Sequence, residues 1–457
     1  MRIHVLAAAT LLAVSSSLHP ATDDPFVVHE WGTFTTVQGS DGEQISWMPP
    51  TSVDLPGFVY RAEVSGDWSS KAVYHPKDVT AFVRMETPVI YFYSQRERVA
   101  DVRVLFRGGN VTEWYPQGTR VQSLATPATL ASPQTRQFLI EWNRIKILAR
   151  DTPEMSLAEL IRDPQAGRGD HYYVARQTDA NFLRVASLDA RTPIEFERDL
   201  FYRGLGYFKA PLNVSMATSG LLSLTAREAE RIPGMFVIEI RGDMMRYQKL
   251  GLAASGAAST VDPNTQPFEA LGDARKRAMQ DMAAELVKQG LYEKEARAMV
   301  NTWQDQWYAE EGTRVLYLLP RPWTDRKLEL QVTPQPDSVV RVMVGRAELF
   351  TPTVEQELTK QILTFGTGDE KAKAQAVDGV RALRLGRFLS AAMTAVTRGE
   401  NDPQLFKSAW ELAGAASAEK VANAREAERS ARNCPSRSRR SRSALSSRSA
   451  RGASLHR

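Results

Sequence analysis

Between the two ends of this 457-residue chain, the side chains able to do chemistry are three histidines, His29, His75 and His171, and a set of strand-borne carboxylates. Three imidazoles can hold a zinc ion with one position left open to water. Metal-binding histidines, however, usually recur at short spacing, as in H-E-x-x-H, and these three have no partner within reach in sequence. The expectation is three separate histidines, with no metal and no cofactor. His29-Glu30 raises the possibility of a general base, but in a strand adjacent side chains point to opposite faces and cannot act on one atom unless a bulge turns one of them. Glu30 then shares a face with Phe26, Val28 and Phe34, where it needs backbone donors or an arginine such as Arg84 to stay charged. The alternative is that this face looks into water. Glu86, Glu113 and Glu141 lie among strand residues rich in Trp and Tyr, as carboxylates flanking a sugar-stacking platform would, and equally as residues of a β-sandwich core. The candidate catalytic residues are therefore His29, Glu30, Glu86, Glu113 and His171, and no spacing unites them.

The elements that must position these residues read mainly as strands. FVVHEWGTF from Phe26 alternates with a period of two, and QGSDGE after it has turn chemistry. Runs follow at Val89–Ser94, Val99–Phe106 and Val111–Pro116, the last two joined by Arg107-Gly108-Gly109-Asn110 as an expected hairpin. Further strands are expected at QFLIEWNRIKILAR and from His171, Ile194, Ser219 and Gly234, and a short helix MSLAELIRD after Thr152-Pro153. After Pro267 the period becomes helical. Two helices are expected, the first stopping at Gly290, the second carrying Ala296, Met299, Val300, Trp303 and Trp307 as an apolar stripe. Three β runs near 313–345 then precede more helices. The fold class is mainly β, antiparallel and sandwich-like, with an inserted or appended α-helical region. The expected divisions are a signal peptide over 1–21, a β domain over 22–150, a second β region over 151–265, a helical region over 266–428 and a tail over 429–457.

The ends explain the overall charge. MRIHVLAAATLLAVSSSLHPA has a positive start, a short apolar run and small residues for cleavage, the pattern of a secretory signal peptide. Its apolar run is too short to span a bilayer, and no later stretch reads as a transmembrane helix. The net charge of +5 and a pI near 9.2 suggest a nucleic-acid partner. Yet nine arginines and no acid follow Glu428, and without them residues 1–428 carry −4. The Arg- and Ser-rich tail cannot bury a core and reads as disordered, with a shifted reading frame as its hypothesised origin. No specific nucleic-acid partner is expected. The one cysteine, Cys434, lies in this tail, so the body has neither a disulfide nor a cysteine nucleophile. Nucleophile-elbow, P-loop, zincin and dinucleotide signatures are absent.

HEWGTFT, METPVIYFYS, LFYRG and RVMVGRAELFTP together resemble a group of uncharacterised exported bacterial proteins, over most of Phe26 to about Ala427. The resemblance implies export and a bacterial origin, and carries no activity or site residue. The function expected is an exported, soluble binding or accessory module, periplasmic or extracellular, with an envelope component or glycan as partner. The alternatives are a hydrolase of envelope polymer or sugar using Glu86 or Glu113, and a histidine-ligated metal enzyme.

Overall fold

A computed structural model describes residues 24–47, 55–62, 81–124, 133–153, 171–186, 194–229, 231–251, 256 and 258–432. The expected signal peptide, His75, the MSLAELIRD helix and the chain beyond Arg432 lie outside these residues. The expected tail begins inside a helix, Pro403–Arg432.

The central element is the strand that alternation predicts, β1 (Val27–Gln38), in which every residue but Val27 is buried. Burial on both faces follows from its place in the middle of a ten-stranded sheet. On one side β1 pairs with β2 (Val83–Tyr93) antiparallel. On the other it pairs in parallel with β9 (Ser338–Leu349), in a register that sets Glu30 beside Arg341 and Thr35 beside Arg346. The other strands used below are β3 (Arg98–Arg107), β4 (Gly109–Tyr115), β5 (Gln137–Ile147), β6 (Leu200–Gly206), β7 (Met235–Arg241) and β8 (Gly312–Leu318). The sheet runs Glu269–Ala270, Met244–Leu250, β7, β8, β9, β1, β2, β6, β4, Tyr60–Arg61. It takes strands from 22–150, 151–265 and 312–349 alike, so these stretches share one sheet.

Against one face lie a six-stranded sheet containing β3 and β5 and a three-stranded sheet of Leu212–Met216, Leu222–Ala226 and Ala258–Val261. Phe26, just before β1, and Val28 and Phe34 of β1 meet Val102, Val104, Ile140 and Trp142 of the facing sheet in one core. The fold is thus mainly β and sandwich-like. The hairpin expected across Arg107–Asn110 is not formed. β3 pairs with β5 and Leu328–Thr333, whereas β4 pairs with β6 and Tyr60–Arg61. Gly108, at φ +72, is the corner where the chain crosses from one layer to the other, and a Cβ on Gly109 would stand 2.4 Å from the Phe106 ring. Glycines permit a tight corner as readily as a hairpin turn.

Helices cover the opposite face. α1 (Leu271–Lys288) ends at Gly290, φ +108, the expected stop, and α2 (Glu293–Thr302) follows. Ala296, Met299, Val300, Trp303 and Trp307 are all buried against Trp31, Tyr91, Leu316 and Val344 of the sheet, so the helical stripe is core. The strand expected from His171 is instead a short helix, His171–Val174, whose adjacent Tyr172 and Tyr173 are both buried, as a two-residue alternation would not allow on a one-sided strand. The chain divides into two compact units: Met1–Leu358 with Leu385–Arg398, and Thr359–Arg384 with Gly399–Arg457. The second is built from Glu370–Ala382 and Pro403–Arg432, with part of the helix Pro352–Thr367. Among the described residues no helix is long and apolar enough to cross a membrane.

One irregularity decides which side chains face which layer. Trp31 pairs with Val89, but Thr33 pairs with Glu86, so β2 has an extra residue at Thr87-Pro88. Thr87 sits at φ +46, an unusual conformation for a β-branched residue. Gly32 lies opposite, and a Cβ there would come within 2.9 Å of Pro88 Cα, which explains the glycine of HEWGTFT. A bulge shifts every later residue by one and so turns it to the other face. Glu86 and Arg84 therefore face the same way as His29 and Trp31, away from Glu30.

Candidate functional site

His29 points toward the helical layer. Its Nδ1 donates to Glu295 Oε2 at 2.7 Å, a contact between residues 266 apart in sequence. The same carboxylate accepts from the Tyr93 hydroxyl at 2.6 Å and from the Tyr292 backbone N–H at 2.8 Å, closing the start of α2. The His29 ring lies 4.4 Å from that of Tyr292 and 5.3 Å from that of Tyr93. Burial, followed by the neighbouring Glu295 charge, pushes the Tyr93 hydroxyl above the usual tyrosine range, so it stays a neutral donor. Tyr93, Tyr292 and Glu295 form part of the wall of a cleft of about 390 Å³, completed by Ser94, Gln95 and Lys294 among others. The notable members, Glu295, Tyr292 and Lys294, lie on or beside α2, with no local sequence signal linking them to His29.

Glu30 points into the sandwich. It accepts from the Tyr202 hydroxyl and from Arg341 Nε, both at 2.5 Å, and Arg341 also reaches Asp325 and the Leu328 carbonyl. Glu30 does share the face of Phe26, Val28 and Phe34, and that face is buried rather than wet. Its partner is Arg341, its β9 neighbour in register, and not Arg84, which the bulge carries to the opposite face. His29 and Glu30 therefore diverge across the sheet and have no substrate atom in common.

Glu86 and Glu113 lie on the His29 face, beyond the bulge. Glu86 accepts from Thr35 Oγ1 at 2.7 Å and from Arg387 Nη1 at 3.1 Å. Burial alone would raise its carboxyl, yet Arg387, Arg203 and Arg84 outweigh that and bring it down to about 2. Glu113 accepts from Arg84 Nη2 at 3.3 Å. The charges continue across the sheet in alternating sign: Arg387 to Glu310 at 3.5 Å, Glu310 to Arg346 at 2.7 Å, Arg346 to Glu348 at 2.6 Å, Glu348 to Arg314 at 3.0 Å. Thr35, Glu86, Arg203 and Arg346 with Glu348 come one by one from HEWGTFT, METPVIYFYS, LFYRG and RVMVGRAELFTP, so the four strings meet on this face. A carboxyl paired in this way is a buried ion-pair partner, the opposite of the raised carboxyl that a general acid uses. Among the described residues a carboxyl pushed up is Asp199, raised by burial and then by Glu197 against the pull of Arg176 and Arg198, and it is almost wholly buried.

His171 belongs elsewhere. Its Nδ1 donates to the Thr302 carbonyl, its Nε2 accepts from Gln306, and its ring stacks on Trp303. His29 and His171 thus grip Glu295 and Thr302, seven residues apart on α2, or roughly 10 Å of helix, too far for one ion. Among the described residues no group of three or more His, Cys, Asp or Glu side chains is placed to hold a metal. Glu141 sits on the six-stranded sheet between Arg103 and Arg120.

No protein-family model and no curated protein sequence matches this chain. Among solved structures, the yeast delta-COP-I mu-homology domain complexed with a Dsl1 WxWxV peptide is similar at a TM-score of 0.25 and 8% identity, over 71% of this chain and 98% of that one. The same yeast domain without the peptide gives a TM-score of 0.24 over the same shares. Likeness at this level assigns no role to any residue here.

Proposed function

We propose that this protein is an exported, soluble binding or accessory module of the cell envelope, and that it holds a small polar component of the glycan class in the cleft beside Tyr93. The observation that carries the reading is the cleft itself. At about 390 Å³ it falls in the size range of small-molecule sites, and its floor is pre-set by the His29, Glu295 and Tyr93 hydrogen bonds. Its wall offers the half-open ring of Tyr292, 46% exposed, for a sugar ring to stack on, with hydroxyl and amide groups beside it. The N-terminal pattern supports export. Hydrolysis by Glu86 or Glu113 gains no support from their arginine-paired state.

The test is saturation-transfer NMR of the full chain with soluble fragments of envelope polysaccharide. Sugar protons are expected to receive saturation, and Tyr292→Ala is expected to weaken binding about tenfold, the scale of one lost aromatic contact in a desolvated site. Absence of binding by every fragment, or binding indifferent to Tyr292→Ala, would sink the reading.

A further inference from the structure

A second cavity, of about 230 Å³, adjoins the first: Arg150 and Asp179 line both. The charges of this double cleft do not cancel. Asp179 is taken by Lys294 at 2.6 Å. Glu295 at the floor is saturated by His29, Tyr93 and the Tyr292 N–H. Asp24, just outside, is held by Arg98 at 2.8 Å, and Asp151 lines neither cavity. Arg198, on the second wall, is fixed by the carbonyls of Thr178 and Ala180 and lies 4.2 Å over the Phe182 ring. The Arg150 guanidinium has neither an ion pair nor a side-chain hydrogen bond among the described residues, while its backbone N–H is anchored to the Gln95 carbonyl at 3.3 Å. A cation fixed at its root, with a free head on the rim shared by two polar cavities, is suited to bidentate capture of an oxyanion.

We infer that the ligand of this cleft is an acidic saccharide, one anionic oxygen pair on a sugar ring, and that Arg150 selects for it. The inference rests on the binding reading above. Its ring lies against Tyr292 in the larger cavity and its acid group reaches Arg150 at the junction. The anion is either a carboxylate, as in a uronic acid, or a phosphate monoester, and the chemistry at Arg150 is the same for both.

The test titrates the full chain with digalacturonic acid, with its carboxyl-reduced neutral counterpart and with glucose 6-phosphate, in the wild type and in Arg150→Ala and Arg150→Lys. The acid disaccharide is expected to bind at least about tenfold more tightly than the neutral one, the scale of one charge-assisted hydrogen bond. That preference should vanish in Arg150→Ala, persist in part in Arg150→Lys, and weaken as salt rises. Arg150 is exposed, so the variants should melt with the wild type. Whichever of the uronate and the phosphate binds better identifies the source of the anion. Equal binding of acidic and neutral sugars by the wild type, or an acid preference that survives Arg150→Ala, overturns the role of Arg150 and leaves the cleft reading standing. Binding of none of the three, together with none of the envelope fragments, removes the cleft reading itself.

Discussion

The two halves of β1 on the helix-facing side of the sheet bury their residues by opposite means. Around His29 and Trp31 the cover is aromatic and aliphatic, and the buried carboxylate that meets His29, Glu295, is satisfied largely by neutral donors: a tyrosine hydroxyl and a backbone N–H besides the imidazole. Around Thr33 and Thr35, a few residues further on, the face is a chain of alternating charges from Glu86 to Arg314. The bulge at Thr87-Pro88 is the boundary. Before it β2 presents Tyr93, Tyr91 and Val89 to the helices, and after it Glu86 and Arg84. The hydrogen-bonded half can be altered group by group and leaves a cleft at its edge. In the ion-paired half each charge inside the row is the counter-ion of two others, so a loss at one position is felt along the row.

The strongest way to break this contrast is Glu348→Gln. It leaves Arg314 and Arg346, both fully buried, without their shared carboxylate, and removing one partner of a buried pair typically costs about 3–5 kcal/mol. Chemical denaturation of the purified variant measures it. A loss below about 1 kcal/mol would mean that the arginines find other partners and that the row does not act as a unit.

Acid titration is expected to have the next largest effect. Glu86 has its folded pKa depressed, to about 2 from an ordinary 4.5, so its contribution is fully present above about pH 4.5 and is lost as pH falls toward 2. The shift corresponds to something on the order of 3 kcal/mol, since one unit is about 1.4 kcal/mol. Burial opposes the shift, and Arg387, Arg203 and Arg84 produce it. Unfolding free energy measured from pH 5 to pH 2 should fall more steeply in the wild type than in Glu86→Gln. Parallel curves would remove Glu86 from the set of groups that make the fold acid-sensitive.

What could be read from the sequence follows the range of the interactions involved. The period of two in β1 and the helical stripe from Ala296 to Trp307 are local patterns, and both correspond to observed elements. Gly108 and Gly109 announce a turn, but a turn signal is the same whether the chain returns beside itself or crosses to another sheet. The strand expected from His171 fails for a similar reason, because a few apolar residues fit either period. For Glu30 the pleat argument gives the residues that share its face and, should that face be buried, the need for backbone donors or an arginine, but the example it offers, Arg84, fails because one extra residue at Thr87 inverts all that follows. Thr87-Pro88 opposite Gly32 is the visible trace of that bulge, though only with the pairing of β1 and β2 in hand. Glu295 could not be found at all. It meets His29 only because α2 packs over the sheet, and nothing near either residue encodes the meeting. The charge row escapes sequence for the same reason, its members arriving from five separate segments.

Glu295→Gln is the counterpart of Glu348→Gln and should have the smaller effect. The amide oxygen, set where Oε2 stands, keeps the bonds from His29 and the Tyr292 N–H, while the Tyr93 hydroxyl loses its acceptor and His29 the charge facing it. Loss of one hydrogen bond of three with the shape preserved corresponds to about 1–2 kcal/mol, and Trp303, Trp307 and Met299 still hold α2 on the sheet. The start of α2 would loosen first, so amide hydrogen exchange at Tyr292 to Ala296 should quicken while that of β1 stays slow. A cost equal to that of Glu348→Gln would erase the distinction between the halves, because it would mean that the carboxylate under the cleft is held by its charge rather than by its neutral donors.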